Sequence, residues 1–229
     1  EISGYGLDVS WQTARQVGGD FYDVFQIKPG LFGLVIADVS DKGLAAALYM
    51  TVSRSLIRAI ALETISPKQT LERVNYLLQL DSKEGFFVTS FYGVLEQATG
   101  KINYCCAGHN LPFLMKDSTG MVVQLPKGGV ALGIFEDISL TEHEIFLNPG
   151  DGLMMYTDGV TESFDRTGKL YGTRRFQKLL KTLVKADAKE IITAVERDLD
   201  RFRAGSALAD DVTQMVVKRL ELLTNQDGN

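Results

Sequence analysis

The chain has 229 residues, of which 45% are hydrophobic and 23% are charged, a composition typical of a globular protein rather than a disordered or fibrous one. Its net charge is −5 and it contains no basic run, so we expect it to bind neither nucleic acid nor an anionic membrane surface. The predicted organisation is one large domain over residues 1–221 and a polar tail over residues 222–229.

Three features of the sequence indicate where the protein resides. The apolar stretch after Gly43 meets Arg54 and Arg58 before it reaches the roughly 18 apolar residues that span a bilayer, so we predict no membrane contact. The first residues lack the basic and apolar regions of a secretory signal. Cys105 and Cys106 are adjacent and poorly placed to form a disulfide with each other. Together these features predict a cytoplasmic protein.

The first predicted elements are a hairpin and a long helix. Two β-type runs, 21–27 and 31–37, flank a three-residue turn that ends in a glycine. A helix is predicted over 43–63, with Ser40 or Asp41 as its N-cap. Its apolar residues recur at near-helical spacing and are expected to pack in the core; they are Leu44, Leu48, Val52, Leu56 and Ile60.

The remaining elements form separate blocks of helices and strands. The sequence Ser66-Pro67-Lys68-Gln69 is a capping box that begins a second helix, which should end near Asp81. Short apolar runs separated by glycines over 89–146 are typical of antiparallel strands. A strand over 152–157, a helix around 176–183, a helix capped by Asp187 and Glu190, and a strand over 212–220 complete the chain. This arrangement predicts an α+β fold in which helices cover antiparallel sheets.

Two aspartates occupy equivalent positions on the predicted hairpin. Asp20 and Asp38 lie at equal distances from Pro29, so they should face each other across it. Directly opposed β-carbons are about 4.5–5.5 Å apart, and two carboxylates at that distance repel unless a cation lies between them. The pair therefore indicates a metal ion, although an aspartate beside a turn is about as common without any function.

Three further aspartates can reach the same edge of a sheet. Asp158 directly follows a predicted strand, whereas Asp210 and Asp211 directly precede the last one. Convergence with Asp20 and Asp38 would give the oxygen-only ligand set that Mg²⁺ and Mn²⁺ prefer. Two histidines and no Cys-x-x-Cys make zinc a poor fit. Taken alone, the aspartate-glycine pair at Asp158 is more often a simple turn.

Six motifs, spread over almost the whole chain, carry a resemblance to a known family. They are Val17-Gly18-Gly19-Asp20-Phe21-Tyr22-Asp23, Ala37-Asp38-Val39-Ser40, Ala107-Gly108-His109-Asn110, Pro149-Gly150-Asp151, Tyr156-Thr157-Asp158-Gly159-Val160-Thr161-Glu162 and Asp210-Asp211-Val212-Thr213. In these motifs and their order the chain resembles the metal-dependent protein phosphatases of type 2C, in the bacterial SpoIIE-like and RsbU-like branch. The resemblance implies an α-β-β-α sandwich: two antiparallel sheets flanked by helices on both outer faces, with the metal site at one end.

The resemblance also implies roles for individual residues. It implies that Asp38 bridges two Mn²⁺ or Mg²⁺ ions, or contributes to a site for three. The implied ligands are Asp20, Asp38, the Val39 carbonyl, Asp158, Asp210 and Asp211. Asp210 and Asp211 could exchange roles. Arg15 stands where related enzymes place a phosphate-binding arginine, so the resemblance implies that it contacts the substrate phosphate.

The implied reaction is hydrolysis of phosphoserine or phosphothreonine on a protein by metal-activated water. In this branch the substrate is an anti-sigma factor antagonist, and a sensory or regulatory module on the N-terminal side controls the enzyme. These become the expected partners, and a homodimer is left open. His109 is expected to fix backbone hydrogen bonds rather than to act as a ligand or base.

One departure from the family pattern leaves an alternative open. Asp41 stands where the family loop usually has glycine, and an added carboxylate could tighten or distort the metal site. A catalytically weak pseudophosphatase that serves as a binding scaffold is therefore the second hypothesis. A third, an aspartyl-phosphate phosphatase, needs an Asp-x-Asp pair, which this sequence lacks.

Overall fold

A computed structural model of the protein describes residues 1–81 and 85–221, which form ten strands and five helices. The strands are β1 (Tyr5–Gln12), β2 (Phe21–Lys28), β3 (Leu31–Val39), β4 (Val88–Glu96), β5 (Lys101–Ala107), β6 (Phe113–Lys116), β7 (Met121–Gln124), β8 (Glu142–Phe146), β9 (Gly152–Tyr156) and β10 (Val212–Arg219). The helices are α1 (Leu44–Ala61), α2 (Pro67–Asp81), α3 (Asp158–Thr161), α4 (Thr173–Thr182) and α5 (Ala188–Arg203). The predicted tail over 222–229 lies outside the described residues, and the domain boundary stays a prediction.

The strands form two five-stranded antiparallel sheets that pack face to face. One has the order β1-β10-β9-β6-β7 and the other β2-β3-β4-β5-β8. Apolar side chains from both sheets fill the space between them, among them Ile36 and Phe91 from one and Met155 and Val217 from the other. The helices α1 and α2 cover the outer face of the second sheet, and α4 and α5 cover that of the first. The predicted α-β-β-α sandwich is confirmed.

The hairpin of β2 and β3 has the predicted register. Phe21 pairs with Ala37, so Asp20 and Asp38 lie one step further along, at the end of the hairpin. In the other sheet, Gln214 of β10 pairs with Tyr156 of β9, which brings the residues after β9 close to those before β10. The hydroxyls of Thr157 and Thr213 contact Asp20, so the two sets of strand ends meet at one end of the sandwich, as expected.

The start of α1 differs from the prediction. Gly43 is the N-cap and makes no side-chain capping hydrogen bond. The Ser40 hydroxyl instead accepts a hydrogen bond from the Phe87 backbone N–H at 2.9 Å. Asp41 adopts a left-handed conformation with φ 72°, and its carboxylate accepts a hydrogen bond from the Lys42 N–H at 2.8 Å. Both predicted caps were wrong, because α1 begins only after Gly43 and the two side chains bond elsewhere, Ser40 to the segment before β4 and Asp41 within its own loop.

The exposed face of α1 contradicts the prediction that its whole apolar stripe packs in the core. Leu44, Leu48 and Val52 are exposed, whereas Ile57 and Ile60 are buried against the sheet.

By length and composition alone, the 18 residues of α1, with a mean hydropathy of 1.3, could cross a membrane. One such helix is weak evidence, since core helices of globular proteins pass the same test. Here the buried face of α1 packs on β2, β3 and α2.

Candidate active site

The ends of several strands bring five aspartates to one end of the sandwich. Asp20 precedes β2, Asp38 is near the end of β3, Asp158 follows β9, and Asp210 and Asp211 precede β10. The proximity of these side chains is evident in their electrostatics. The charges of Asp20, Asp158 and Asp210 all act on Asp38, and those of Asp158 and Asp211 act on Asp20. The sequence prediction that these residues converge is thus confirmed, although their metal-binding roles stay predictions.

Asp20 is almost fully buried and is held by two threonine hydroxyls. Its Oδ2 accepts a hydrogen bond from Thr157 Oγ1 at 2.7 Å and another from Thr213 Oγ1 at 2.6 Å. Burial raises the pKa of Asp20, and the two hydroxyl donors offset part of that rise because they favour the ionised carboxylate. The threonines therefore both orient Asp20 and help to keep it charged.

Mutual repulsion and burial make the cluster electrostatically unfavourable without a cation. Burial raises the pKa of Asp38, and the charges of Asp20, Asp158 and Asp210 raise it further. Burial also raises the pKa of Asp158 to about 6, with smaller contributions from Asp210 and Glu162. Carboxylates in this state are stabilised by a multivalent cation, which compensates both for desolvation and for repulsion.

The structure distinguishes the two adjacent aspartates that the sequence left interchangeable. Asp211 is buried, and its two oxygens accept hydrogen bonds from the backbone N–H groups of Ala14 and Gly19, each at 2.8 Å. It therefore anchors the loop between β1 and β2. Asp210 is more exposed; its Oδ1 accepts from the Asp211 N–H at 2.9 Å, and its Oδ2 lies 2.8 Å from Lys42 Nζ. Asp210 is the better placed of the two to bind an ion.

The loop between β1 and β2 approaches the Val39 carbonyl closely. A Cβ atom on Gly19 would lie 2.8 Å from that carbonyl oxygen and 3.6 Å from Asp38 Oδ1, so only glycine leaves room there. Arg15 is exposed on the same loop, which Asp211 holds in place. The loop is thus fixed to the acidic cluster through Asp211 and Gly19, and a phosphate-binding role of Arg15 stays a prediction.

His109 is positioned to support Asp38 rather than to bind an ion. It is buried, and its Nδ1 lies 2.8 Å from Thr89 Oγ1, which in turn donates to the Asp38 carbonyl at 3.5 Å. Burial lowers the pKa of His109 to about 3, so the imidazole is neutral. This agrees with the interpretation of His109 as a residue that fixes backbone hydrogen bonds.

The donors at this end of the sandwich are those of a hard divalent ion. The converging groups are carboxylates and a backbone carbonyl, the oxygen ligands that Mg²⁺ and Mn²⁺ prefer. Within residues 1–81 and 85–221, no group of three or more His, Cys, Asp or Glu side chains is arranged as a complete metal site. The residues fit such an ion by chemistry and convergence, and the side chains must move closer together to bind it.

The family model described as Stage II sporulation protein E (SpoIIE) matches residues 28–220, which is most of the chain. The chain belongs to the SpoIIE family. The matched region contains Asp38, Asp158, Asp210 and Asp211, and it begins after Asp20. The family assignment thus covers most of the acidic cluster and agrees with the resemblance that the motifs indicated.

Curated relatives of this SpoIIE-family chain include named phosphatases. Protein IcfG of Synechocystis sp. is 29% identical over 246 residues, which cover 96% of the chain and 38% of IcfG. Phosphoserine phosphatase RsbU of Bacillus subtilis is 28% identical over 206 residues, covering 90% of the chain and 61% of RsbU. The chain thus spans between two and three fifths of the length of these relatives.

Solved structures show the same fold. The structure of the RsbU and RsbW domains of a Mycobacterium tuberculosis protein has a TM-score of 0.79 and 25% identity, over 96% of this chain and 61% of that one. The structure of the PP2C phosphatase domain and a fragment of the regulatory domain of Bacillus subtilis SpoIIE has a TM-score of 0.83 and 19% identity, over 96% and 63%. The SpoIIE-family chain therefore has the fold of PP2C phosphatase domains.

Thr157 and Thr213 lie within the sequence motifs, but no role was predicted for them. The sequence does place a threonine at each of the two strand ends that carry acidic residues, and this pattern could have indicated their role. In Thr213→Val, Asp20 loses one hydroxyl donor, so we expect its pKa to rise further and Mn²⁺ affinity to fall by roughly 10-fold, in the range typical of residues that support metal ligands.

Manganese titration calorimetry checks this expectation, with Thr70→Val, a buried threonine on α2, as the matched control. We expect the control to bind Mn²⁺ as the unaltered protein does. Equal affinity in Thr213→Val would show that the Thr213 hydroxyl does not support Asp20.

Proposed function

We propose that the chain is a Mn²⁺- or Mg²⁺-dependent protein serine/threonine phosphatase. The observation that carries the proposal is the convergence of Asp20, Asp38, Asp158 and Asp210 at one end of the sandwich, where burial and repulsion favour a bound cation. Membership of the SpoIIE family and relatives named phosphoserine phosphatases support the same reaction.

The residues of the cluster would hold two ions, or three. The oxygens that would hold them are those of Asp20, Asp38, the Val39 carbonyl, Asp158 and Asp210. When bound, such ions lower the pKa of water so that it attacks phosphorus near neutral pH, and they offset the charge of the phosphoryl group.

The surrounding residues position the reacting groups. Thr157 and Thr213 orient Asp20 and favour its ionised form. Asp211 fixes the loop that carries Arg15, whose guanidinium is the proposed ligand of the substrate phosphate. His109 supports the backbone of Asp38 through Thr89. Reaction by water leaves the protein itself without a covalent intermediate.

The substrate and partners follow from the family resemblance. We propose a phosphorylated anti-sigma factor antagonist as the substrate, regulation by a module on the N-terminal side, and action in the cytoplasm. The solved chain that contains both an RsbU and an RsbW domain supports a role in this kind of regulatory system. A homodimer also belongs among the proposals.

Hydrolysis of a phosphoserine peptide and of p-nitrophenyl phosphate tests the proposal. We expect turnover with added Mn²⁺ and none in EDTA, and we expect Asp158→Asn to lose it. If the unaltered protein cleaved neither compound nor a phosphorylated antagonist in the presence of Mn²⁺ or Mg²⁺, the pseudophosphatase scaffold would replace the enzyme as the better hypothesis.

A further inference from the structure

Lys42 connects the loop after β3 to the loop before β10. Its Nζ lies 2.8 Å from Asp210 Oδ2 and donates a hydrogen bond to the Ala209 carbonyl oxygen at 2.8 Å. The backbone of Lys42 is fixed by its own hydrogen bond to the Asp41 carboxylate. The lysine ammonium is thus placed on one of the predicted ion ligands.

The carboxylate of Asp210 has a donor on each oxygen. Oδ1 accepts from the Asp211 N–H at 2.9 Å, and Oδ2 accepts from Lys42. A divalent ion and an ammonium group repel each other at such short range, so an ion cannot approach Oδ2 while Lys42 occupies it. The backbone N–H on Oδ1 is uncharged, so the electrostatic opposition to an ion at either oxygen of this carboxylate comes from the Lys42 ammonium.

The ion pair between Lys42 and Asp210 is weak enough for a metal ion to replace the ammonium group. The Lys42 side chain is 36% exposed and that of Asp210 is 40% exposed, and ion pairs at such positions are weak because solvent screens them. Lys42 can therefore swing into solvent at little cost. The buried cluster residue Asp20, by contrast, is held by two neutral hydroxyls.

We propose that Lys42 is a built-in competitor for the ion at Asp210. The inference rests on the proposed function, since it takes Asp210 as an ion ligand. The ammonium neutralises Asp210 when no ion is bound and must leave when one binds, so the lysine lowers the affinity for that ion. In this way Lys42 sets the Mn²⁺ or Mg²⁺ concentration at which the site fills.

Calorimetric titration of the whole chain with MnCl₂, without substrate, tests the proposal. We expect Lys42→Met to bind one Mn²⁺ ion roughly 3–5-fold more tightly than the unaltered protein, the effect of one partly exposed ion pair. Lys42→Arg keeps the positive charge and should stay close to the unaltered affinity. Lys68→Met is the matched control, because Lys68 pairs with Glu72 on α2, and it should leave Mn²⁺ binding unchanged.

The other outcomes separate this inference from the proposed function. If Lys42→Met bound Mn²⁺ equally or more weakly while Mn²⁺-dependent hydrolysis persisted, Lys42 would not be a competitor and the phosphatase proposal would stand. If neither protein bound Mn²⁺, both the proposed function and this inference would be wrong. Free Mn²⁺ measured by electron paramagnetic resonance gives an independent affinity for each variant.

Discussion

Asp38→Asn is expected to abolish phosphatase activity while making the metal-free protein more stable. Asp38 is the carboxylate on which the charges of Asp20, Asp158 and Asp210 converge, and it is one of the residues proposed to hold the ions. Loss of even a residue that supports a metal ligand costs about 10–100-fold, so we expect Mn²⁺-dependent hydrolysis to fall by more than ~100-fold. Initial rates on p-nitrophenyl phosphate measure the loss.

The gain in stability follows from the sign of the pKa shifts. The pKa values of Asp20, Asp38 and Asp158 are raised in the folded protein. As pH rises above about 4, the unfolded chain releases these protons first, so the folded state binds more protons and its stability falls with rising pH. The loss continues past pH 6, since burial raises the pKa of Asp158 to about 6.

Removing one of these charges therefore helps the metal-free protein at high pH. In EDTA at pH 8 we expect Asp38→Asn to raise the free energy of unfolding by roughly 1–3 kcal/mol, and at pH 4 we expect little difference. Urea denaturation at both pH values measures this, with Asp137→Asn, an exposed aspartate, as a control expected to change neither stability nor activity. A variant less stable than the unaltered protein at pH 8 would show that Asp38 is stabilised, not strained, in the metal-free cluster.

The hairpin and its register could be predicted because they depend on neighbouring residues. A short turn fixes the pairing of the two strands that it joins, and Phe21 does pair with Ala37. The cap of α5 is equally local: Asp187 and Glu190 form the predicted capping box. The placement of Asp158 and Asp210 was also predictable, since each lies directly beside a buried strand of the same sheet.

The buried face of α1 was predicted wrongly for a geometric reason. The apolar residues predicted to be buried, from Leu44 to Ile60, recur every four residues. Because an α-helix has about 3.6 residues per turn, each step of four rotates the side chain by about 40° around the helix. The exposed fractions follow this rotation: 69% at Leu44, 62% at Leu48, 47% at Val52 and 8% at Ile60. A stripe of this length cannot lie on one face, and only packing decides which end is buried.

The contacts that complete the site could not be read from the sequence. Thr213 contacts Asp20 across 193 positions of the chain, and Lys42 contacts Asp210 across 168. No local pattern encodes either contact, because threonine and lysine are ordinary at strand ends and in loops. Such partners are fixed only when the two sheets stack and their loops meet.

Gly159→Ala is expected to destabilise the protein severely and to disturb the acidic cluster. A Cβ atom on Gly159 would lie 1.9 Å from the backbone oxygen of Asp211 and 3.2 Å from Val212 Cγ2, and a backbone oxygen cannot turn away as a flexible side chain can. Either α3 or the start of β10 must move. We expect a loss of at least about 3 kcal/mol, among the larger effects of a single substitution, which corresponds to a fall in Tm of roughly 6–12 °C for a domain of this size.

The same displacement should separate Asp158 from Asp210 and Asp211, so Mn²⁺ affinity should fall together with stability. Gly152→Ala is the matched control: Gly152 is also buried and lies on β9, but its Cβ atom would meet nothing closer than 3.7 Å. An alanine there should leave Tm within a few degrees and Mn²⁺ affinity unchanged. If the Gly159→Ala and Gly152→Ala variants had the same Tm, α3 would not be packed tightly against the residues before β10. A variant at Gly159 that lost stability but kept its Mn²⁺ affinity would mean that Asp158 is placed by β9 alone, and that the glycine serves folding rather than the site.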